Sequence, residues 1–320
     1  MITSTVRRTV HERALASSGD HVLVACSGGP DSTSLFHVLH RLRGELGITL
    51  CCASIDHGLR PESAAEVEQV AALASALGVP FYSSRVSVPS QGASIQARAR
   101  ELRYAALREI ATARGATRIA VGHTQDDQAE TILGRLLRGA GIRGLGGIEP
   151  RRVDGVIRPL LDCRRSEVRA YAVNRALPFV DDPSNHQPAF ERVRIRHQVL
   201  PMLAVEDPRV IEHLCALSDE AAQLNAYLDA QLAGMSPAHG RFVSTESLAA
   251  LPAPIRIRWL RSWISQETGL TPSRSHLTDL GRLLTGQGEV LLGSGWSVRR
   301  ESGGLSLEYR EHRRTRTHRS

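Results

Sequence analysis

Val22-Leu-Val-Ala-Cys26-Ser27-Gly28-Gly29-Pro30-Asp31-Ser32-Thr33-Ser34-Leu35 is the stretch whose reading decides the fold. A short apolar run reads as a buried strand, breaks at two glycines and resumes as an amphipathic helix carrying Leu35, Val38, Leu39 and Leu42. Strand, tight glycine turn and helix N-terminus together make a cradle for an anion. Gly28 and Gly29 let the backbone come close to a ligand, and the first-turn N–H groups and the helix dipole face it. Ser27, Ser32 and Ser34 add hydroxyl donors. Asp31 is out of place in a pure phosphate cradle, because a carboxylate there repels the ligand. A divalent cation between Asp31 and the phosphates resolves the conflict. The glycine pair by itself also fits an N-cap carboxylate on an ordinary βα turn. Two other nucleotide loops are excluded at this turn: it does not read G-x-G-x-x-G, and a chain without lysine has no Walker A.

Lysine is absent altogether, so the Lys+Arg count of 40 is all arginine. That bias matches the abundance of alanine and glycine, and it rules out Schiff-base, general-base and phosphate-clamp lysines. With 320 residues the chain can bury a full core and divide into two domains. A net charge of +7 favours a polyanionic partner, nucleic acid ahead of membrane, since no amphipathic basic helix stands out. The five cysteines form no C-x-x-C pair, so neither a zinc ribbon nor an iron–sulfur site is readable. Arg7-Arg8 has no apolar stretch behind it and no run reaches membrane-spanning length. The expected location is the cytoplasm, and the sequence is compatible with an oligomer as well as a monomer.

In order, residues 2–18 read as a leading helix, followed by the core strand, the 27–32 loop and a helix to about Leu46. Ile48–Ile55 is a strand ending at Asp56-His57-Gly58-Leu59-Arg60, and Pro61 opens a helix over 64–77 with Glu62, Glu66 and Glu68 near its start. Val79–Val88 is a third strand, Ser94–Arg114 a long arginine-bearing helix and Arg118–Val121 a fourth strand ending at Gly122-His123. A helix from Asp126 to Leu137 follows. This alternation predicts an α/β fold with a doubly wound parallel sheet, with ligands at the carboxyl ends of its strands. Ser27–Ser32, Asp56–Arg60 and Gly122–Asp127 all fall there.

The glycine-rich run 138–147, with Arg138 and Arg143, reads as a mobile segment over the site or as a plain surface loop. Arg158-Pro159-Leu160-Leu161 leads to a helix over 165–175. Asp181-Asp182-Pro183-Ser184-Asn185 is a turn cluster. Arg192, Arg194 and Arg196 then run into Leu200-Pro201-Met202-Leu203, and a helix over 206–232 looks like a spacer. Gly234–Gly240 is the clearest linker. Beyond it, Ile255–Ile264 reads as a helix burying Ile255, Trp259, Leu260 and Trp263 and exposing Arg256, Arg258 and Arg261. A helix over 275–284 and a meander of strands at 289–292, 296–300 and 305–309 complete a small α+β domain. The expected division is a catalytic domain over 1–205, a helical linker over 206–235, the α+β domain over 236–310 and a disordered basic tail over 311–320.

Ser-Gly-Gly-Pro-Asp-Ser after a strand resembles the pyrophosphate-binding loop of the PP-loop ATP pyrophosphatase superfamily. Within it, five motifs resemble the tRNA(Ile)-lysidine synthetase family. They are Asp56-His57-Gly-Leu59-Arg60 with Ser63 and Glu66; Ala99-Arg100-x-x-Arg103-Tyr104; Gly122-His123-Thr-Gln-Asp126-Asp127-Gln-Ala-Glu130-Thr131; Leu-Arg138-Gly139-x-Gly141-x-Arg143-Gly144-Leu145; and Asp182-Pro-Ser184-Asn185. The family's Arg-Asn-x-Ile-Arg pattern is matched except that Val193 takes the Asn position. The resemblance implies an ATP-dependent ligase that converts the wobble cytidine of isoleucine tRNA with anticodon CAU to lysidine. Cytidine O2 attacks the α-phosphate of Mg²⁺-bound ATP and expels pyrophosphate; the ε-amine of free lysine then displaces AMP at C2.

On that reading Ser27, Gly28, Gly29, Pro30, Asp31 and Ser32 bind ATP, and Asp31 holds Mg²⁺. Arg103 neutralises phosphate charge, while Arg138, Arg143, Arg194 and Arg196 face tRNA. His123, Asp127 and Glu130 stand at i, i+4 and i+7, on one helical face. A lysine substrate needs carboxylates that bind its ammonium and relieve it of a proton, which suits Asp127 and Glu130, with His123 near the phosphate. The same residues also read as helix caps with a solvated Glu130, or as a His-Asp-Glu metal site. Rival functions are a PP-loop tRNA thiolase or another PP-loop tRNA-modifying enzyme, a non-catalytic tRNA-binding protein, and a small-molecule synthetase. Thiolases of this fold that modify cytidine carry C-x-x-C ligands for an iron–sulfur cluster, and others need catalytic cysteine pairs. Cys51-Cys52, neighbours on a strand, point to opposite faces and cannot act as one.

Overall fold

The computed structural model describes residues 2–56, 63–87, 95–180, 191–233 and 240–310. It divides into two compact units, Met1–Ala222 and Gln223–Ser320. Among the described residues no helix is long and apolar enough to cross a membrane.

The first unit runs α1 (Ile2–Glu12), β1 (His21–Ala25), α2 (Pro30–Leu46), β2 (Thr49–Asp56), α3 (Ser63–Ala76), β3 (Phe81–Arg85), α4 (Ile95–Ala113), β4 (Arg118–Ala120), α5 (Gln125–Leu137), α6 (Ile142–Leu145), β5 (Val156–Ile157), α7 (Arg165–Asn174), α8 (Glu191–Arg194), a π-helical turn (Ile195–Val199), α9 (Leu200–Glu206) and α10 (Val210–Ala233). Its five strands are parallel in the order β3-β2-β1-β4-β5. The chain winds outward from β1 through β2 to β3, then returns to place β4 on the other side of β1. The β1/β4 pair is therefore the switch point, where loops after the strands diverge and leave a crevice.

Strand periodicity sorts the core. Val22 and Val24 face one side with Leu35, Phe36, Leu39 and Val168, while Leu23 faces the other with Cys51, Leu107, Ile119 and Val156. Both sides are sealed, as a parallel sheet requires. α2 begins with Pro30 in its first turn and ends at Gly47, whose φ of +65° closes the helix in the left-handed region.

The second unit holds the C-terminal end of α10, then β6 (Phe242–Ser244), α11 (Thr245–Ala249), α12 (Ala253–Thr268), α13 (Arg274–Leu283), β7 (Glu289–Gly293), β8 (Trp296–Glu301) and β9 (Gly304–Tyr309). Its antiparallel sheet has the order β6-β9-β8-β7. Trp259, Leu260, Trp263 and Leu280 pack on Val298, Leu305 and Leu307 in a separate core.

Several expectations change. The leading helix stops at Glu12, and α10 is shared between the two units rather than standing apart as a linker. β5 and β6 are strands of two and three residues, too short for a period-two signal. Arg258 is not exposed. It is buried, with Nε 2.5 Å from Asp229 Oδ1, Nη2 2.9 Å from Asp229 Oδ2 and Nη1 3.0 Å from Asn225 Oδ1. The glycine-rich run is pinned as well. Arg135 Nη1 donates to Gly144 O at 2.7 Å and Gly147 O at 2.8 Å, and Leu145 packs with Ile132 and Ala221. His57–Arg60, the Asp181–Asn185 cluster, positions 234–239 and the tail over 311–320 lie outside the described residues.

Two separate cores make a testable claim. Trp263 is fully buried, and its indole N–H donates to Gly240 O at 2.9 Å. Truncating a buried aromatic costs about 3–5 kcal/mol. In calorimetry of the full chain, Trp263→Ala is expected to lower one transition and leave a second in place. A single transition that shifts as a whole would contradict independent cores.

Candidate active site

The nucleotide loop leaves β1 at Cys26 and is shaped from within. Gly28 sits at φ +83°, a left-handed conformation that a side chain would strain. Ser32 Oγ accepts from Ser27 N–H at 3.1 Å and donates to Gly29 O at 3.1 Å, which folds the loop over the N-terminus of α2. Ser34 does not serve as a ligand donor: its hydroxyl donates to Val168 O at 3.2 Å and ties α2 to α7. The loop after β4 comes so close that a Cβ on Gly122 would lie 3.2 Å from Asp31 C and Ser32 N. A side chain at 122 would press that backbone away by a few tenths of an ångström.

Asp31, in the first turn of α2, has a buried Oδ1 without a hydrogen-bond partner, and its Oδ2 lies 3.9 Å from Arg165 Nε. Burial, reinforced by the charge of Asp127, pushes its carboxyl up to about 7 against the pull of Arg165. A buried carboxylate oxygen with nothing to bind suits a cation. Among the described residues no three His, Cys, Asp or Glu side chains gather into a metal site. A lone carboxylate matches a Mg²⁺ ion that takes its other ligands from phosphate and water.

α5 opens on a capping box. Thr124 N–H donates to Asp127 Oδ2 at 2.7 Å, and Asp127 N–H donates back to Thr124 Oγ1 at 3.5 Å. Asp126 caps α7 instead, accepting from Arg165 N–H at 2.7 Å. His123 therefore precedes the helix and is not on one helical face with Asp127 and Glu130. Its Nδ1 accepts from Arg158 Nε at 3.2 Å.

The remaining oxygens of Asp127 and Glu130 meet three arginines. Arg165 reaches Asp127 Oδ1 at 2.7 Å and Glu130 Oε1 at 2.9 Å; Arg192 reaches Asp127 Oδ1 at 2.7 Å and Glu130 Oε2 at 2.8 Å. Arg196 reaches Glu130 Oε1 at 2.7 Å and Oε2 at 3.0 Å. The Glu130 side chain is 0% exposed and that of Arg192 is 48% exposed, so Arg192 is the outer member. Burial opposes ionisation of both acids. The charges of Arg165 and Arg192 hold Asp127 below the usual carboxylate range, and hydrogen bonding from Arg196 with the charge of Arg165 does the same for Glu130. Beside the cluster lies a cavity of about 210 Å³, lined by Asp126, Glu130, Arg165 and Arg196 on one side and by Leu200, Pro201, Ala204 and Ile211 on the other.

Thus Asp31, Asp127, Glu130 and Arg196 come together. Arg103 sits apart from them on α4, its guanidinium carbon 5.6 Å from the Tyr104 ring, where burial and the charge of Arg100 disfavour its protonation. Arg138 pairs with Glu191 at 2.6 Å, and Arg143 and Arg194 are exposed. Sequence reasoning missed Arg165 and Arg158. Arg165 could have been found by position, since it opens a predicted helix at the ligand-bearing edge of the sheet, whereas Arg158 follows β5, a strand too short to leave a signal.

The chain is similar to known proteins over most of its length. Residues 2–203 match the PP-loop domain and residues 244–306 the TilS substrate binding domain. The tRNA(Ile)-lysidine synthase of Salinispora tropica is 39% identical over 89% of this chain and 90% of its own length. That of Salinispora arenicola is 38% identical over 95% and 96%. The solved U34-tRNA thiolase NcsA of Methanococcus maripaludis, with its 4Fe-4S cluster, shares the fold at a TM-score of 0.60 and 15% identity, over 69% of this chain and 78% of that one. A PP-loop match over more than half the chain, a match to the TilS substrate binding domain and relatives covered over 90% or more of their own length lead to one conclusion: the chain belongs to the tRNA(Ile)-lysidine synthase family.

Proposed function

We propose that the protein joins lysine to C2 of the wobble cytidine of a CAU-anticodon isoleucine tRNA, using ATP and passing through an adenylated tRNA. One observation supports this reading above the rest. Arg165 bridges the nucleotide loop and the buried carboxylates, 3.9 Å from Asp31 and within 2.9 Å of both Asp127 and Glu130, so the two half-reactions share one crevice.

In the first half-reaction the 27–32 loop and the N-terminus of α2 hold the phosphates, and cytidine O2 displaces pyrophosphate from the α-phosphorus. Asp31 would hold Mg²⁺, which neutralises phosphate charge when bound. His123 donates a hydrogen bond to a phosphate oxygen, and Arg103 with Arg100 offsets charge from the side of Tyr104. Arg138, Arg143 and Arg194 contact tRNA from the first unit, and Arg256 and Arg261 give the second unit its own basic contacts.

In the second half-reaction lysine occupies the 210 Å³ cavity, its aliphatic stem against Leu200, Pro201 and Ile211 and its ammonium at Glu130 and Asp127. That seat already holds guanidinium groups, so a lysine ammonium enters only by displacing them. Arg192 and Arg196 are the mobile cargo of this exchange, moving to tRNA or nucleotide phosphates as these arrive. Their departure removes two of the three cations that keep Glu130 acidic and leaves Arg165 alone against burial and the charge of Asp127, which raise its proton affinity. Glu130 then takes the ammonium proton, and the free amine attacks C2 with loss of AMP.

A PP-loop thiolase is the second reading, and it needs cysteine chemistry the chain lacks. Cys26, Cys51, Cys52 and Cys163 are buried and none forms a C-x-x-C.

Mass spectrometry of the tRNA after incubation with ATP and lysine is expected to show a gain of lysine less one water. Sulfur in place of oxygen would indicate the thiolase, and no change would sink both. Glu130→Gln is expected to spare tRNA-dependent pyrophosphate release and to raise the lysine KM about ten- to a hundredfold, the loss of one charged hydrogen bond. Arrested pyrophosphate release would move the cluster to ATP binding.

A further inference from the structure

Arg158 takes no part in the cluster, yet it is 3% exposed and wholly engaged. It directly follows β5, its backbone N–H donates to Pro150 O at 3.0 Å and its Nη1 donates to Glu149 O. Its Nε points at His123 Nδ1 at 3.2 Å. A guanidinium N–H only donates, so Nδ1 must be an acceptor and carry the ring's lone pair. We propose that Arg158 is a positioning residue that fixes His123 as the neutral Nε2–H tautomer, making it a fixed hydrogen-bond donor rather than a proton shuttle.

The surroundings agree. The charged groups that face the ring are Asp127 from α5, Arg158 beyond β5, Arg100 from α4 and Arg192 from α8. Three of the four are cations. Burial, together with Arg158, Arg100 and Arg192, brings the imidazole down to about 3 against the opposing charge of Asp127. A second ring proton at Nδ1 would meet the Arg158 N–H head on. The sequence pairs Arg158-Pro159 with the end of a strand; Pro159 restricts the backbone of Arg158 to an extended conformation, which keeps the side chain aimed across to the neighbouring β4 loop. The positioning role rests on the proposed function, since it supposes that His123 meets a phosphate oxygen in the activation step.

The test uses the full chain labelled with ¹⁵N-histidine, the His123 signals being assigned by difference from His123→Asn. In the wild type, Nε2 is expected to be protonated and Nδ1 unprotonated from pH 8 to pH 6. Arg158→Met is expected to give mixed tautomers or a titrating ring, and to slow tRNA-dependent pyrophosphate release roughly ten- to a hundredfold. Arg158→Gln places an amide nitrogen at the same bond count from Cα as Arg158 Nε. It is expected to restore the Nε2–H tautomer and most of the rate. A wild-type ring protonated at Nδ1 would overturn the inference, even if both variants failed to fold. So would a Met variant with unchanged spectra or unchanged pyrophosphate release. Lysidine formation by the wild type in the same assay separates a failure of this role from a failure of the proposed function.

Discussion

Two buried carboxylates facing three arginines are the constraint on which the site depends. Asp127 and Glu130 cannot be desolvated as ions without partners, since an unpaired buried charge costs several kcal/mol. Arg165, Arg192 and Arg196 meet that need, and they come from separate elements: the first turn of α7, α8, and the π-helical turn after it. The π-helical geometry, an extra residue in the turn, is a feature that recurs at functional sites. Here it carries Arg196 onto the same acids as Arg192. The cluster therefore ties the edge of the nucleotide crevice to the segment that follows position 190, and its charge balance leaves one more cation than anion.

The fold brings this cluster to the carboxyl ends of β1 and β4. Because β1 and β4 are neighbours in the sheet, the loop after each strand lies beside the other, close enough that Gly122 touches the backbone of Asp31. One loop supplies a phosphate cradle and an unsatisfied carboxylate oxygen. The other supplies His123 and the capping box from which Asp127 reaches inward. Asp127 thus does two jobs with its two oxygens, Oδ2 finishing the helix and Oδ1 binding arginine. The capping role and the binding role, which compete in a reading of the sequence, coexist in one side chain.

Much of this was legible in the residues. The strand, glycine turn and helix at 22–46 fixed the parallel sheet and the cradle, and the spacing of Asp127 and Glu130 placed both acids together. Other parts were not legible, for physical reasons. β5 and β6 are too short to show alternation. A π-helical turn has no separate propensity signal, so Arg196 reads as a tRNA contact although here it binds carboxylates. Arg258 shares the sequence environment of Arg256 and Arg261, but its ion pair to Asp229 depends on a tertiary contact that helical periodicity does not contain. Arg165 was hidden for the same reason, its partners lying 35 and 38 positions earlier.

On the proposed function, the protein's own arginines fill the seat of the substrate ammonium until phosphates draw them away. Calorimetric titration of free lysine into the chain without ATP or tRNA, for wild type and for Arg192→Gln, tests it directly. Arg192 is the most exposed of the three and binds both acids, so its removal is expected to tighten lysine binding about tenfold, the equivalent of roughly 1.4 kcal/mol. Unchanged or weaker binding by Arg192→Gln would contradict the account, because Arg192 would then not be competing with lysine for Asp127 and Glu130.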